Sequence, residues 1–198
     1  MENIKQAIAS CYRQELQLRK NWYSSAAEWE LEAEAFDAVL AASSFHWIPP
    51  DLGYAKAARA LRDNGSLILL WNKELQPRQE IYRELSEIYD LYAPNLARYE
   101  DRGTQLQILR ELGQMAIDSG QFTDLKSGYL EVEVIYPVDR YLALLTTYSS
   151  YLKLDSSTQK ALFAGLKSKL ENISGDTLKL SYLSAFHVNL LGDFPPCL

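Results

Sequence analysis

Two apolar runs with a helix-sized segment between them most constrain what this chain can fold into. The first, from Phe36 to Ala42, reads Phe-Asp-Ala-Val-Leu-Ala-Ala and is broken only by Asp37; the second, from Ser66 to Trp71, reads Ser-Leu-Ile-Leu-Leu-Trp. Such runs suit strands covered on both faces, as in a parallel sheet. Pro49 and Pro50 forbid helix up to that point, and Asp51 is placed to cap a helix starting there. Leu52, Ala55, Ala58 and Leu61 then recur at helical spacing, and Asn64-Gly65 signals a turn. Strand, helix and strand in this order predict a parallel, right-handed βαβ unit. Ligands of open parallel sheets bind beyond the carboxyl ends of the strands. Those ends carry Ser43-Ser44-Phe45-His46-Trp47 and Trp71-Asn72, so polar and aromatic groups gather where a site would be.

Around this unit the chain reads as alternating elements. Ile4, Ala7, Ile8 and Cys11 share one face of a helix from Glu2 to about Arg19, and Asn21 to Ser25 has the composition of a short strand. Glu28 to Glu34 is an acidic stretch expected to be a solvated loop. Gln76 to Ala93 is an amphipathic helix with Ile81, Leu85, Ile88 and Tyr92 on its apolar face, Tyr82 and Tyr89 alongside, and Pro94 at its end. Thr104 to Ser119 is a second helix, with a capping box in Thr104-x-x-Gln107 and a C-terminal cap at Gly120. Tyr129 to Val138 alternates as a strand with one wet face. Asp139 caps a helix carrying Leu142, Leu145, Tyr148 and Leu152, and Ser156-x-x-Gln159 caps another carrying Leu162, Leu166 and Leu170. Gly175 separates that helix from a last strand, Leu178 to Leu190.

The chain has 198 residues, enough for one domain with a sizeable core. Its net charge of -6 offers no basic field for a phosphate backbone, so no nucleic-acid partner is expected. No apolar run approaches the ~20 residues that span a bilayer, and the N-terminus lacks an apolar signal core. Cys11 and Cys197 stand far apart and read as free thiols, which suits a reducing cytoplasm. No His, Cys or carboxylate cluster has metal-ligand spacing, and no Gly-x-Ser-x-Gly or Walker-type loop is present.

The stretch from Phe36 to Asn72 resembles the class I S-adenosylmethionine-dependent methyltransferases, most closely the small-molecule branch containing trans-aconitate methyltransferase. Phe36-Asp37-Ala38-Val39-Leu40 is similar to the family's fourth strand, His46-Trp47 to the His-Trp pair after it, and Leu61-Arg62-Asp63-Asn64-Gly65 to the turn before the fifth strand. The resemblance implies an α/β, Rossmann-like sheet in a single domain, residues 1–198. It also implies a helical lid insertion at about residues 76–128 and a C-terminal antiparallel strand pair. S-adenosylmethionine is the implied cofactor, and a small, carboxylate-bearing molecule the implied acceptor. The family's adenine-contacting turn falls near Ser25 and Ala26, with its usual carboxylate absent or replaced by Glu28; Ser43 and Ser44 would meet the cofactor's amino-acid portion.

His46 is the candidate catalytic base, or a group orienting the acceptor; the alternative is a loop histidine that fixes its turn. Phe45, Trp47, Trp71, Asn72 and Tyr82 are the candidate acceptor-binding residues, with core packing the alternative for the aromatic ones. His187, in the last strand, is expected to be structural. Family members open with a strand ending in a Gly-rich turn and a second strand ending in an acid, whereas the first glycine here is Gly53. The sheet is therefore expected to be N-terminally truncated, leaving the strand from Asp37 to Ser43 as a flat apolar edge. A homodimer is expected, through that edge or by exchange of the N-terminal helix. Two functions stand open: methyl transfer, or an inactive homologue serving as an assembly or binding module.

Overall fold

The computed structural model of this protein describes residues 31–192. The two apolar runs are strands β1 (Phe36–Ala42) and β2 (Leu61–Asn72), and they pair in parallel through the helix α1 (Pro50–Ala60). A single 3-10 turn, Phe45–Trp47, precedes α1. After β2 come β3 (Gln76–Pro77), α2 (Gln79–Tyr92), a 3-10 turn at Pro94–Leu96 and α3 (Arg102–Asp118). Next are β4 (Phe122–Pro137), α4 (Val138–Leu145), α5 (Ser149–Leu152), α6 (Ser156–Ser174) and β5 (Thr177–Leu191).

β5 is the axis of the sheet. Its C-terminal half pairs antiparallel with β2, from Ser66–Leu190 to Asn72–Ser184, and its N-terminal half takes β3 on that same side. β4 runs antiparallel along its whole other side. Across the sheet the order is thus β1, β2, β5, β4, an α/β sheet that closes with the expected C-terminal antiparallel pair. β1 pairs only with β2 among the described residues. None of the described helices is long and apolar enough to cross a membrane.

Two apolar clusters flank β5. One joins Tyr54, Ala57 and Ala58 of α1, Leu109 and Ala116 of α3, and Leu67, Leu69 and Trp71 of β2. The other joins Leu85 and Tyr89 of α2, Tyr141, Leu142 and Leu145 of α4, Leu162, Leu166 and Leu170 of α6, and Leu178 and Leu180 of β5. Of the segment expected as a lid, α2 therefore packs with α4 and α6, whereas α3 lies on the sheet beside α1.

Local chemistry departs from the sequence expectations at several points. The α1 face that packs is Gly53, Tyr54, Ala57, Ala58 and Ala60; of the expected face, Ala58 and Leu61 are buried, Ala55 is half-buried and Leu52 is exposed. Pro49 holds the N-cap position of α1 and Pro50 its first turn, where a missing N–H costs nothing; Asp51 sits in that turn beside the positive helix end rather than capping it. Asn64-Gly65 turns inside β2: the register jumps from Phe36–Leu61 to Ala38–Ser66, so residues 62–65 bulge out. Asn64 has φ 62°, and a Cβ on Gly65 would sit 2.8 Å from the Arg62 carbonyl.

The helix expected from Gln76 starts at Gln79, because Gln76 and Pro77 pair with β5. Asp101, not Thr104, caps α3 by accepting from the Thr104 N–H at 2.9 Å, and Gln107 instead donates to Glu111. Asp155, not Ser156, caps α6 by accepting from the Ser157 and Thr158 N–H groups. β4 begins at Phe122, ahead of the expected Tyr129. The helix expected through Leu152 breaks after Leu145: the Thr146 and Thr147 hydroxyls donate to the Ala143 and Leu144 carbonyls and compete with helix propagation. Its first residue is Val138, with Pro137 at the N-cap position instead of Asp139.

Burial also corrects the expectation of strands covered on both faces. Along β2, Leu67, Leu69 and Trp71 are buried while Ser66, Ile68 and Leu70 are half-buried. On β1, Val39 and Ala41 pack against the α1–α3 cluster, while Leu40 is 59% exposed. Among the described residues, α1 and α3 cover one face of these strands.

Candidate functional site

The tips of β1 and β2 are tied together by Ser43. Its N–H donates to the Leu70 carbonyl at 2.8 Å, continuing the parallel ladder one residue past β1. Its Oγ accepts from the Asn72 N–H at 3.3 Å. Ser43 has φ 46°, a left-handed conformation that a serine adopts only when its surroundings hold it there. The kink lifts the chain off the sheet and hands it to the 3-10 turn. The Trp47 N–H donates to the Ser44 carbonyl and the Ile48 N–H to that of Phe45, both at 3.1 Å.

That turn sorts its side chains. Phe45 points inward and packs on Tyr54 at 4.9 Å between ring centroids, and it closes on the Gly53 backbone. His46 is exposed and lies between two indoles, 4.8 Å from Trp47 and 5.6 Å from Trp71. Trp47 is 79% exposed; Trp71 is buried, with its indole N–H unpartnered. A small cavity of about 70 Å³ runs beneath, lined by Phe45, His46, Ile48, Tyr54, Trp71 and Met115. Ser43, Ser44, Phe45, His46, Trp47, Trp71 and Asn72 thus form one constellation at the strand tips.

Tyr82 stands in the other apolar cluster. Its ring stacks on Tyr89 at 5.8 Å and meets Tyr99 at 5.1 Å. Burial pushes its phenol up to about 12. Ser25, Ala26 and Glu28 fall outside the described residues, as does the N-terminal helix.

A group of ionisable side chains just past Asn72 escaped the sequence reading. The pKa of Glu74 is raised by the protein around it and by the Glu100 carboxylate, although the side chain reaches solvent. Lys73 bridges to Glu100 at 2.6 Å, and Gln76 donates to the Glu100 carbonyl at 2.6 Å. Burial, and next the charge of Glu74, push the Tyr148 phenol up to about 12. The only sequence signal for this group was the Lys73-Glu74 pair directly after a strand tip; its partners on Glu100 and Tyr148 come from remote elements.

The described strand tips offer hydrogen-bonding groups to a ligand. The Ser43 hydroxyl keeps its own proton free to donate while its oxygen accepts from Asn72, and Ser44 and Asn72 are exposed beside it. Among the described residues no cluster of His, Cys, Asp or Glu could hold a metal ion.

Comparison with known proteins finds methyltransferases. A family model described as a methyltransferase domain matches residues 2–69. Uncharacterized methyltransferases of Mycobacterium bovis and Mycobacterium tuberculosis are 41% identical over 64 residues, which is 32% of this chain and 26% of theirs. The match thus spans about a quarter of those relatives' length. A provisionally assigned type II methyltransferase from Anaeromyxobacter dehalogenans has the same fold over 81% of this chain and 66% of its own, with a TM-score of 0.57 and 21% identity. The N-terminal third of the chain is thus similar to a methyltransferase domain, and the described residues share the fold of that solved structure.

Proposed function

We propose that this chain takes part in methyl transfer from S-adenosylmethionine to a small, carboxylate-bearing molecule, in the branch typified by trans-aconitate methyltransferase, and works in the cytoplasm. The observation that carries the reading is the tied pair of strand tips, with exposed His46 set between Trp47 and Trp71 beside Ser43 and Asn72. The cofactor, when bound, supplies an electrophilic methyl group on a sulfonium. The Ser43 hydroxyl would donate a hydrogen bond to the cofactor's carboxylate, and Ser44 would border the same end. Trp47 and Trp71 wall the acceptor's place, and Asn72 offers its amide there. Holding acceptor and methyl group in line is the main service such a site renders. His46 would orient the acceptor, and would accept a proton where the acceptor's nucleophile carries one.

A second reading has its own observation. β1 keeps one side unpaired among the described residues, which leaves an apolar strand edge open to a partner. On this reading the chain is an inactive homologue that assembles through β1. Titration calorimetry with S-adenosylhomocysteine separates the two. Saturable binding with a Kd of about 1–100 μM, abolished in Ser43→Pro and kept in His46→Ala, is expected for the methyltransferase. No heat at millimolar ligand overturns it in favour of the second reading.

A further inference from the structure

On the far side of β2 from β1, α3 and β4 form a groove of about 270 Å³ whose floor is β5. Leu106, Leu109 and Arg110 line it from α3, Ser127 and Tyr129 from β4, and His187 from below. The floor is rigid. His187 is 2% exposed, and its Nδ1 shares a hydrogen bond of 2.9 Å with the Ser127 hydroxyl. A Cβ on Gly113 would lie 2.5 Å from the same Nδ1, so the α3 backbone rests on the imidazole. The Leu109 carbonyl is close enough to favour protonation of the ring, without reaching hydrogen-bond geometry at Nε2, and burial outweighs it and keeps the ring neutral near pH 7.

The walls carry one sign of charge. Among the described residues no carboxylate lines the groove, although the chain holds 26 Asp and Glu against 20 Lys and Arg. Arg110 is exposed and has no ion pair among the described residues. At the rim, Arg102 stands 5.7 Å over the Tyr129 ring and is held there by Glu131 at 3.2 Å. An unpaired guanidinium, a hydroxyl fixed by a buried imidazole, a half-exposed phenol ring and two leucines match a molecule with an anionic head and a flat apolar body. A guanidinium prefers a planar carboxylate, which it can grip with two N–H groups.

We propose that the groove between α3 and β4 binds a small aromatic carboxylate, with the head on Arg110 and Ser127 and the ring between Tyr129, Leu106 and Leu109. The groove adjoins the strand tips without including them: on β5, Ala185 pairs with Trp71 and His187 with Leu69, while His46 and Asn72 do not line it. Occupancy would clamp α3 to β4 beside the β2 strand that carries Trp71.

Benzoate is the probe, followed by two-dimensional amide NMR on the full chain. Saturable shifts are expected at residues 106–110 and 127–129, with a Kd on the order of 1 mM. Arg110→Gln, an exposed replacement that keeps the fold, weakens binding about tenfold, and Ser127→Ala weakens it by a smaller factor. Benzamide, of the same shape without the charge, binds at least about tenfold more weakly than benzoate. Shifts centred on Ser43 and Asn72, equal response to benzamide, an unaltered Kd in Arg110→Gln, or no saturation by about 20 mM benzoate would each overturn the proposal.

Discussion

At the scale of single residues, His187 shows how much of a role position in the chain can reveal. Its place inside an apolar last strand marked it as structural, and it is buried. Its partners were invisible to sequence, because Ser127 is 60 residues away and Gly113 acts by having no side chain. That contact has two testable consequences. Gly113→Ala forces a methyl group against the imidazole and is expected to cost about 1–3 kcal/mol in urea denaturation. The double variant Gly113→Ala, His187→Ala recovers part of that loss, since the clash goes with the ring. The second consequence concerns pH. Burial lowers the folded-state pKa of His187 below its ordinary 6.5, so near and just below that value the unfolded chain binds the extra proton. The contribution of a neutral His187 to stability is present above pH 6.5 and falls away as pH drops through the interval below it. Denaturation midpoints measured from pH 8 to pH 5 should slope downward toward acid, with a shallower slope in His187→Gln. Equal slopes would show that other groups set the profile.

Elements were legible where a period was long and missed where a cap or a turn hydroxyl decided. Leu162, Leu166 and Leu170 announced α6 by spacing alone, and all three are wholly buried against α2, α4 and β5. Leu166→Ala is therefore expected to destabilise the protein by about 2–5 kcal/mol, read from the shift in urea midpoint. The helix starts were harder. Two Ser/Thr-x-x-Gln patterns suggested capping boxes, yet an aspartate just upstream takes the cap in both α3 and α6. A carboxylate competes better than a hydroxyl for two backbone N–H groups at a positive helix end. Hydrogen bonds from Ser157 and Thr158 hold the Asp155 carboxyl well below its usual 3.8. Its folded pKa is depressed, so the cap's contribution is present above that usual value and disappears as pH falls below it. Asp155→Ala should lower stability at pH 7, fray the first turn of α6 in amide exchange, and lose most of its difference from the parent protein below pH 3.

On the scale of the whole molecule, the parallel core and its strand tips could be read in advance, and the surfaces between copies could not. An apolar run predicts a buried strand, but what buries it is a property of neighbouring segments and neighbouring chains. β1 shows the gap: its sequence suits full burial, yet Leu40 is 59% exposed and one edge of the strand is unpaired among the described residues. Half-buried Ile68 and Leu70 on β2 extend that apolar face, and Leu130, 57% exposed, adds to the uncovered apolar surface of the sheet. A flat apolar edge beside an open apolar face is a template for a second strand, and a second copy of this chain presents the same edge by symmetry. We therefore expect a dimer through β1, with a light-scattering mass near twice 22.6 kDa at micromolar concentration. Leu40→Asp places a charge at the centre of that contact while leaving the buried face of β1, Val39 and Ala41, untouched. It should return the mass to 22.6 kDa with circular dichroism unchanged, because the substituted side chain already faces solvent in a single copy. A parent protein that scatters as a monomer would mean that β1 stays open in solution or is covered within its own chain. A dimer indifferent to Leu40→Asp would move the contact to another surface.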